Sequence, residues 1–197
     1  LFEHLCRLNP QCNREIMQAV ISLAVELARE GREGQRVGAL FVVGDEARLL
    51  ARSKSLILDP LFCHERKLLS IHDPNLRETL KELALLDGAF IISLDGYAVA
   101  GCRYLDADAS NLDLPMGLGS RHVTAAAVTR AESCTAVVVS ESAVVRVFFD
   151  GELIAEIVPE LWLLSREMTH LRGPVDEREY PGVKIFSSRK VTAPTKE

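Results

Sequence analysis

Apolar residues recur at helical spacing at Ile16, Val20, Leu23, Ala24 and Leu27, so the pattern predicts a helix over residues 13–31. Asn13 is placed to cap it, and Gly31 and Gly34 are placed to stop it. The continuous apolar run Val37-Gly38-Ala39-Leu40-Phe41-Val42-Val43 then reads as a buried strand entering a turn at Gly44-Asp45-Glu46. A second strand is expected near 48–52, pairing back on the first.

Residues 53–73 show little periodicity and read as a long ordered loop containing Pro60, Cys63-His64 and His72-Asp73. Asp73-Pro74 has the form of an N-cap followed by a first-turn proline. Leu76, Leu80, Leu83 and Leu86 give that helix a buried face, and Asp87-Gly88 ends it. Residues 89–93 and 97–104 form two strands of a hairpin across Asp95-Gly96, a dipeptide favoured in tight turns. An irregular stretch over 105–118, with Asp106, Asp108, Asn111, Asp113 and Pro115, leads to Gly117-Leu118-Gly119-Ser120 and a helix from Arg121 to about Ser133. A strand over 135–139 closes on Ser140-Glu141-Ser142, and a second hairpin joins 144–149 to 153–158 through Asp150-Gly151. Beyond Pro159 there is one apolar knot, Leu161-Trp162-Leu163-Leu164, expected to cover the core, and a polar tail whose end is expected to fray.

Helices interleaved with hairpins predict an α/β fold with a mixed, mostly antiparallel central sheet flanked by helices. The expected organisation is an N-terminal helical segment over 1–35, a core domain over 36–160 and a partly disordered extension over 161–197. The chain has 197 residues, 48% of them hydrophobic, enough for one domain with a real core but cramped for two. A start at Leu1 rather than Met points to a piece of a longer protein.

A net charge of −5 disfavours a basic groove for a nucleic-acid polymer. No apolar run approaches the ~20 residues needed to span a bilayer, so no membrane partner is expected. Cys6, Cys12, Cys63, Cys102 and Cys134 are odd in number and lack metal-site or redox spacing, which fits free thiols in a reducing cytoplasm. Neither the dinucleotide fingerprint nor the P-loop pattern is present, and no serine lies in a G-x-S-x-G elbow.

Three polar clusters lie at the ends of apolar elements: Asp87-Gly88, Ser120-Arg121-His122-Thr124 and Ser140-Glu141. Ser120 reads as an N-cap, and the first-turn N–H groups of the following helix would face an anion together with Arg121, His122 and Thr124. If the sheet gathers the clusters, two carboxylates meet an arginine, a histidine and a helix N-terminus, which suits a phosphate with a divalent metal. Each member also has an ordinary reading: a helix-to-strand turn at Asp87-Gly88, a solvated Glu141, a packing His122, a surface ion pair at Arg121.

These residues carry a family resemblance. Over roughly residues 38–158 the chain resembles the diadenylate cyclase domain, the nucleotide-binding module also found at the front of the DNA-integrity scanning protein. Residues 37–43 are like that family's first core strand, and Leu86-Asp87-Gly88-Ala89 is like its Asp-Gly-Ala motif. Gly119-Ser120-Arg121-His122 is like its Arg-His-Arg motif, while Val139-Ser140-Glu141-Ser142 and the hairpin after it are like its Ser-Glu turn. One departure is plain: the third position of Arg-His-Arg is Val123, although Thr124 follows.

The resemblance implies condensation of two ATP molecules, held in facing protomers of a homodimer or higher homo-oligomer, into cyclic di-AMP and two pyrophosphates. It implies Asp87, Arg121 and His122 as catalytic residues. ATP would contact Gly88, Ala89, Leu105, Gly119, Ser120, Arg121, His122, Thr124 and Ser140, with Gly88 and Ala89 small enough for close approach of the nucleotide. Asp87 and Glu141 would place Mg²⁺ or Mn²⁺. The alternative is a nucleotide-binding regulatory domain that does not cyclise, with Val123 as the residue on which the choice turns.

Overall fold

The computed structural model describes residues 2–110, 112, 114–159, 175–180 and 183–188. The chain divides into two compact units, residues 1–159 and 160–197. In the first unit, helices α1 (Phe2–Leu8) and α2 (Arg14–Glu30) precede strand β1 (Ala39–Gly44), helix α3 (Glu46–Ala51) and strand β2 (Ser53–Ser55). A 3-10 turn (Arg66–Leu69), α4 (Pro74–Leu83), β3 (Ala89–Ser93) and β4 (Ala98–Leu105) follow, then α5 (Ser120–Ala131), β5 (Thr135–Val139), β6 (Val145–Phe149) and β7 (Glu152–Ile157). The second unit shows a hairpin, β8 (Val175–Tyr180) with β9 (Val183–Ser188), which the sequence reading did not anticipate.

The sheet has seven strands in the order β2-β4-β3-β1-β5-β6-β7. Only β1 and β3 run parallel; every other pairing is antiparallel, so the expected mixed, mostly antiparallel sheet is found. Alternation along the strands divides the core. One face carries Leu40, Val42, Ile91, Ala136, Val138 and Phe148 against Ala125, Ala126 and Val128 of α5. On the opposite face Phe41 stacks on Phe90, ring centroids 5.3 Å apart, and α2 packs across β1, β5 and β6. The small side chains of α5 let it lie close to β5.

The expected caps at Asn13 and Asp73 are present, each side chain accepting from first-turn N–H groups, a contact worth about 1 kcal/mol in general. Asp150 and Gly151 take φ of 51° and 80°, the pair of positive values a two-residue hairpin turn requires.

Four local expectations are corrected. Residues 48–52 form no strand: Asp45 accepts a bond from the Arg48 N–H and starts α3 instead of a turn, and the pairing partner of β4 is the short β2. The 53–73 loop accordingly contains β2 and the 3-10 turn. Helix α4 ends at Leu83, and Leu86 is exposed because the chain has already left the helix. Gly119, not Ser120, is the N-cap of α5, and it contributes no side-chain cap. The expectations for Trp162, Leu163 and the frayed tail lie outside the described residues.

Candidate active site

Strand register gathers the three polar clusters. Leu40 of β1 pairs with Ala89, and Ala39 pairs with Val139, so the chain entering β3 and the chain leaving β5 flank the start of β1. Ala89 also pairs with Arg103, which brings the end of β4, with Tyr104 and Leu105, to the same edge. The N-terminus of α5 lies over this edge. With no side chain capping α5, the Ser120 and Arg121 N–H groups have no acceptor among the described residues, as an anion site requires.

Arg121 is the hub. Its Nη2 lies 3.3 Å from Asp87 Oδ1 and its Nη1 lies 3.8 Å from Glu141 Oε1. The carboxylates themselves are open, with side chains 90% and 76% exposed, so these contacts act as orienting pairs that solvent screens. Gly38 makes room for this arginine, because a Cβ there would stand 2.8 Å from Nη1.

Two cavities meet at Ser120 and Arg121. The first, of 310 Å³, is lined on its apolar side by Leu40, Leu56, Ala89, Tyr104 and Leu105, with Asp87 and Thr124 at polar positions. The second, of 350 Å³, is polar: Gly119, His122, Ser140, Glu141 and Arg146 line it. Every residue expected at the site therefore borders one cavity or both.

The geometry differentiates them. Gly88 has φ of 108°, and a Cβ on it would meet the Cys102 backbone carbon at 2.6 Å. The bulged β3–β4 pairing thus requires a glycine here, and the same residue borders the first cavity. The Ser140 hydroxyl is 2.7 Å from that of Ser142 and accepts from the Ser142 N–H, so it holds the turn in shape. His122 is 6% exposed, with its ring edge-on to Phe148, centroids 6.2 Å apart. Its Nε2 is 3.3 Å from Arg146 Nη1. Arginine only donates, so Nε2 is the unprotonated nitrogen. Burial, then the charges of Arg146 and Arg121, hold the imidazole below its ordinary pKa.

Sequence reasoning missed Gly38, Leu56, Arg103 and Arg146. Arg103 borders the first cavity while donating to Ser53 and Ser55 of β2. Arg146 had a readable signal: it is a charged residue within Val-Arg-Val-Phe-Phe, two positions from Phe148 and therefore on the same inward face.

Residues 26–153 match the family described as DAC, DisA bacterial checkpoint controller nucleotide-binding. The chain belongs to this family. It is 40% identical over 155 residues to a diadenylate cyclase of Haloferax volcanii, covering 78% of this chain and 56% of that one. A diadenylate cyclase of Methanocaldococcus jannaschii is 41% identical over 152 residues, covering 77% of this chain and 48% of the relative. The chain thus spans about half the length of these relatives. Among solved structures, a hypothetical membrane spanning protein from Bacillus cereus shares the fold at a TM-score of 0.52 and 20% identity, over 70% of this chain and 61% of that one. In this DAC chain itself, no helix among the described residues is long and apolar enough to cross a membrane.

Proposed function

We propose that the domain is a diadenylate cyclase, joining two ATP molecules into cyclic di-AMP with release of two pyrophosphates. The observation that carries this reading is the pair of cavities meeting at Arg121, one apolar and sized for a nucleoside, the other lined by donors beside an uncapped helix N-terminus. The adenosine moiety occupies the first, against Leu105 and Tyr104. The triphosphate occupies the second, where Arg121 and the α5 N–H groups neutralise charge moving to pyrophosphate.

In each half-reaction a ribose 3′-oxygen bonds to the α-phosphorus of the other ATP, and the α–β phosphoanhydride bond breaks with its electron pair leaving on pyrophosphate. The Asp87 carboxylate receives the hydroxyl proton, and Arg121 holds that carboxylate in place. His122, buried with Nε2 committed to Arg146, shapes the phosphate cavity from behind.

Among the described residues no three acidic, histidine or cysteine side chains cluster as a self-sufficient metal site. Asp87 and Glu141 nonetheless fit Mg²⁺ or Mn²⁺ in the manner usual for nucleotide enzymes, where one or two carboxylates and the substrate phosphates share the ion. The ion would lower the pKa of the attacking hydroxyl and screen phosphate charge.

One protomer holds one ATP, so two protomers must face each other. The exposure of Asp87, Glu141 and Tyr104 at the rim supports a site completed by a second copy. The five free thiols support action in the cytoplasm. The test is incubation with ATP and Mn²⁺ and mass-spectrometric detection of cyclic di-AMP and pyrophosphate. ATP binding without product at high protein concentration would instead favour a nucleotide-binding regulatory domain, the reading to which Val123 lends weight.

A further inference from the structure

The first turn of α5 carries Arg121-His122-Val123, so the helix offers a single guanidinium to the phosphate cavity, and position 123 is filled by a half-buried apolar side chain. The sheet offers another. Arg146 stands on β6 opposite Val138 and Glu156, on the face covered by α5, and its side chain is 15% exposed. Placing an arginine there carries a desolvation cost that ordinary packing would avoid.

Its edges are committed in a specific way. Nε lies 2.5 Å from Glu156 Oε1, and Nη1 faces the His122 lone pair at 3.3 Å. These two contacts fix the plane of the guanidinium, so little rotamer freedom remains to be lost on binding. The plane borders the 350 Å³ cavity, whose cationic lining side chains are Arg121 and Arg146, one from α5 and one from β6.

We propose that Arg146 is a triphosphate-binding residue, supplying from the sheet the guanidinium that position 123 does not supply from the helix. The proposal rests on the ATP reading above and extends it. Its consequence is that the cavity carries a second guanidinium although Val123, which is not among its lining residues, brings none. His122 and Glu156 are the positioning residues of this arginine.

The test measures ATP and AMP binding to the full chain by titration calorimetry, with circular dichroism to check the fold. Arg146→Gln is expected to weaken ATP binding about 10- to 100-fold, the usual range for a charged hydrogen bond to phosphate, and to leave AMP binding unchanged. Arg146→Lys, which keeps charge without the fork, is expected to fall between. Equal loss of ATP and AMP affinity would assign Arg146 a structural role and overturn the proposal. Undiminished ATP binding in both Arg146 variants would overturn it while leaving the nucleotide reading intact. A parent protein that binds no ATP would overturn both.

Discussion

The guanidinium of Arg121 occupies the side-chain space of Gly38: a Cβ at position 38 would lie 2.8 Å from Nη1 and 3.3 Å from Cζ. The obstructing atoms are the far end of a flexible side chain, so Gly38→Ala is expected to displace the arginine and leave the fold standing. Stability should stay within about 1 kcal/mol of the parent, since the strain is relieved outward and the unfolded chain loses entropy. ATP affinity should fall several-fold, approaching the loss of about 1.5–3 kcal/mol expected for Arg121→Ala if that residue binds phosphate. Urea unfolding and ATP titration on the two variants check this, and full affinity in Gly38→Ala would show that the seat is not needed.

Gly88 presents the opposite case. Its φ of 108° is strained for any L side chain, and the atoms a Cβ would strike are backbone, Cys102 C at 2.6 Å and Arg103 N at 2.7 Å. Backbone in a paired strand cannot yield cheaply. Gly88→Ala is expected to destabilise the domain by about 2–4 kcal/mol, combining conformational strain with a shift of β4. A urea midpoint close to the parent's would refute the argument from close approach.

Asp87 is open to solvent and, among the described residues, its carboxylate pairs with Arg121 alone, so removing its charge should not disturb the core. Asp87→Asn is expected to retain ATP binding and lose product formation by on the order of a hundredfold or more, the usual contribution of a positioned base. Chelation of divalent metal should likewise abolish product in the parent, with AMP still bound. Turnover that survives the substitution would remove Asp87 from the chemistry.

How much of this was legible in the sequence depended on what each feature is made of. Periodic runs such as Ile16 to Leu27 and the apolar strand at 39–44 declared themselves because burial imposes their spacing. The 48–52 segment misled because Leu49 and Leu50 fit a strand and a helix alike over so short a stretch; the Asp45 cap decided between them. The site clusters could be named as polar ends of apolar elements, and their convergence followed from strand register, which no local pattern encodes. Gly38, Gly88 and Arg146 acquire their meaning from close approaches between segments distant in sequence, Gly38 to Arg121, Gly88 to Cys102 and Arg146 to His122.

His122 gives the domain an expected acid sensitivity whose sign can be worked out. In the folded state its pKa is held below the ordinary 6.5, first by burial and then by the charges of Arg146 and Arg121, with the Gly119 backbone and Glu156 opposing. Below pH 6.5 the unfolded chain takes up a proton that the folded chain still refuses. The stability associated with neutral His122 is therefore present in full above that value and is lost as pH falls through the lowered folded value. Other groups titrate in the same range, so the informative quantity is the difference between the parent and His122→Gln, which cannot protonate. The urea midpoint of the parent is expected to fall more between pH 7.5 and pH 5 than that of the variant. Parallel declines would mean that His122 takes up its proton alike in the folded and unfolded chain, and that the fold does not hold it neutral.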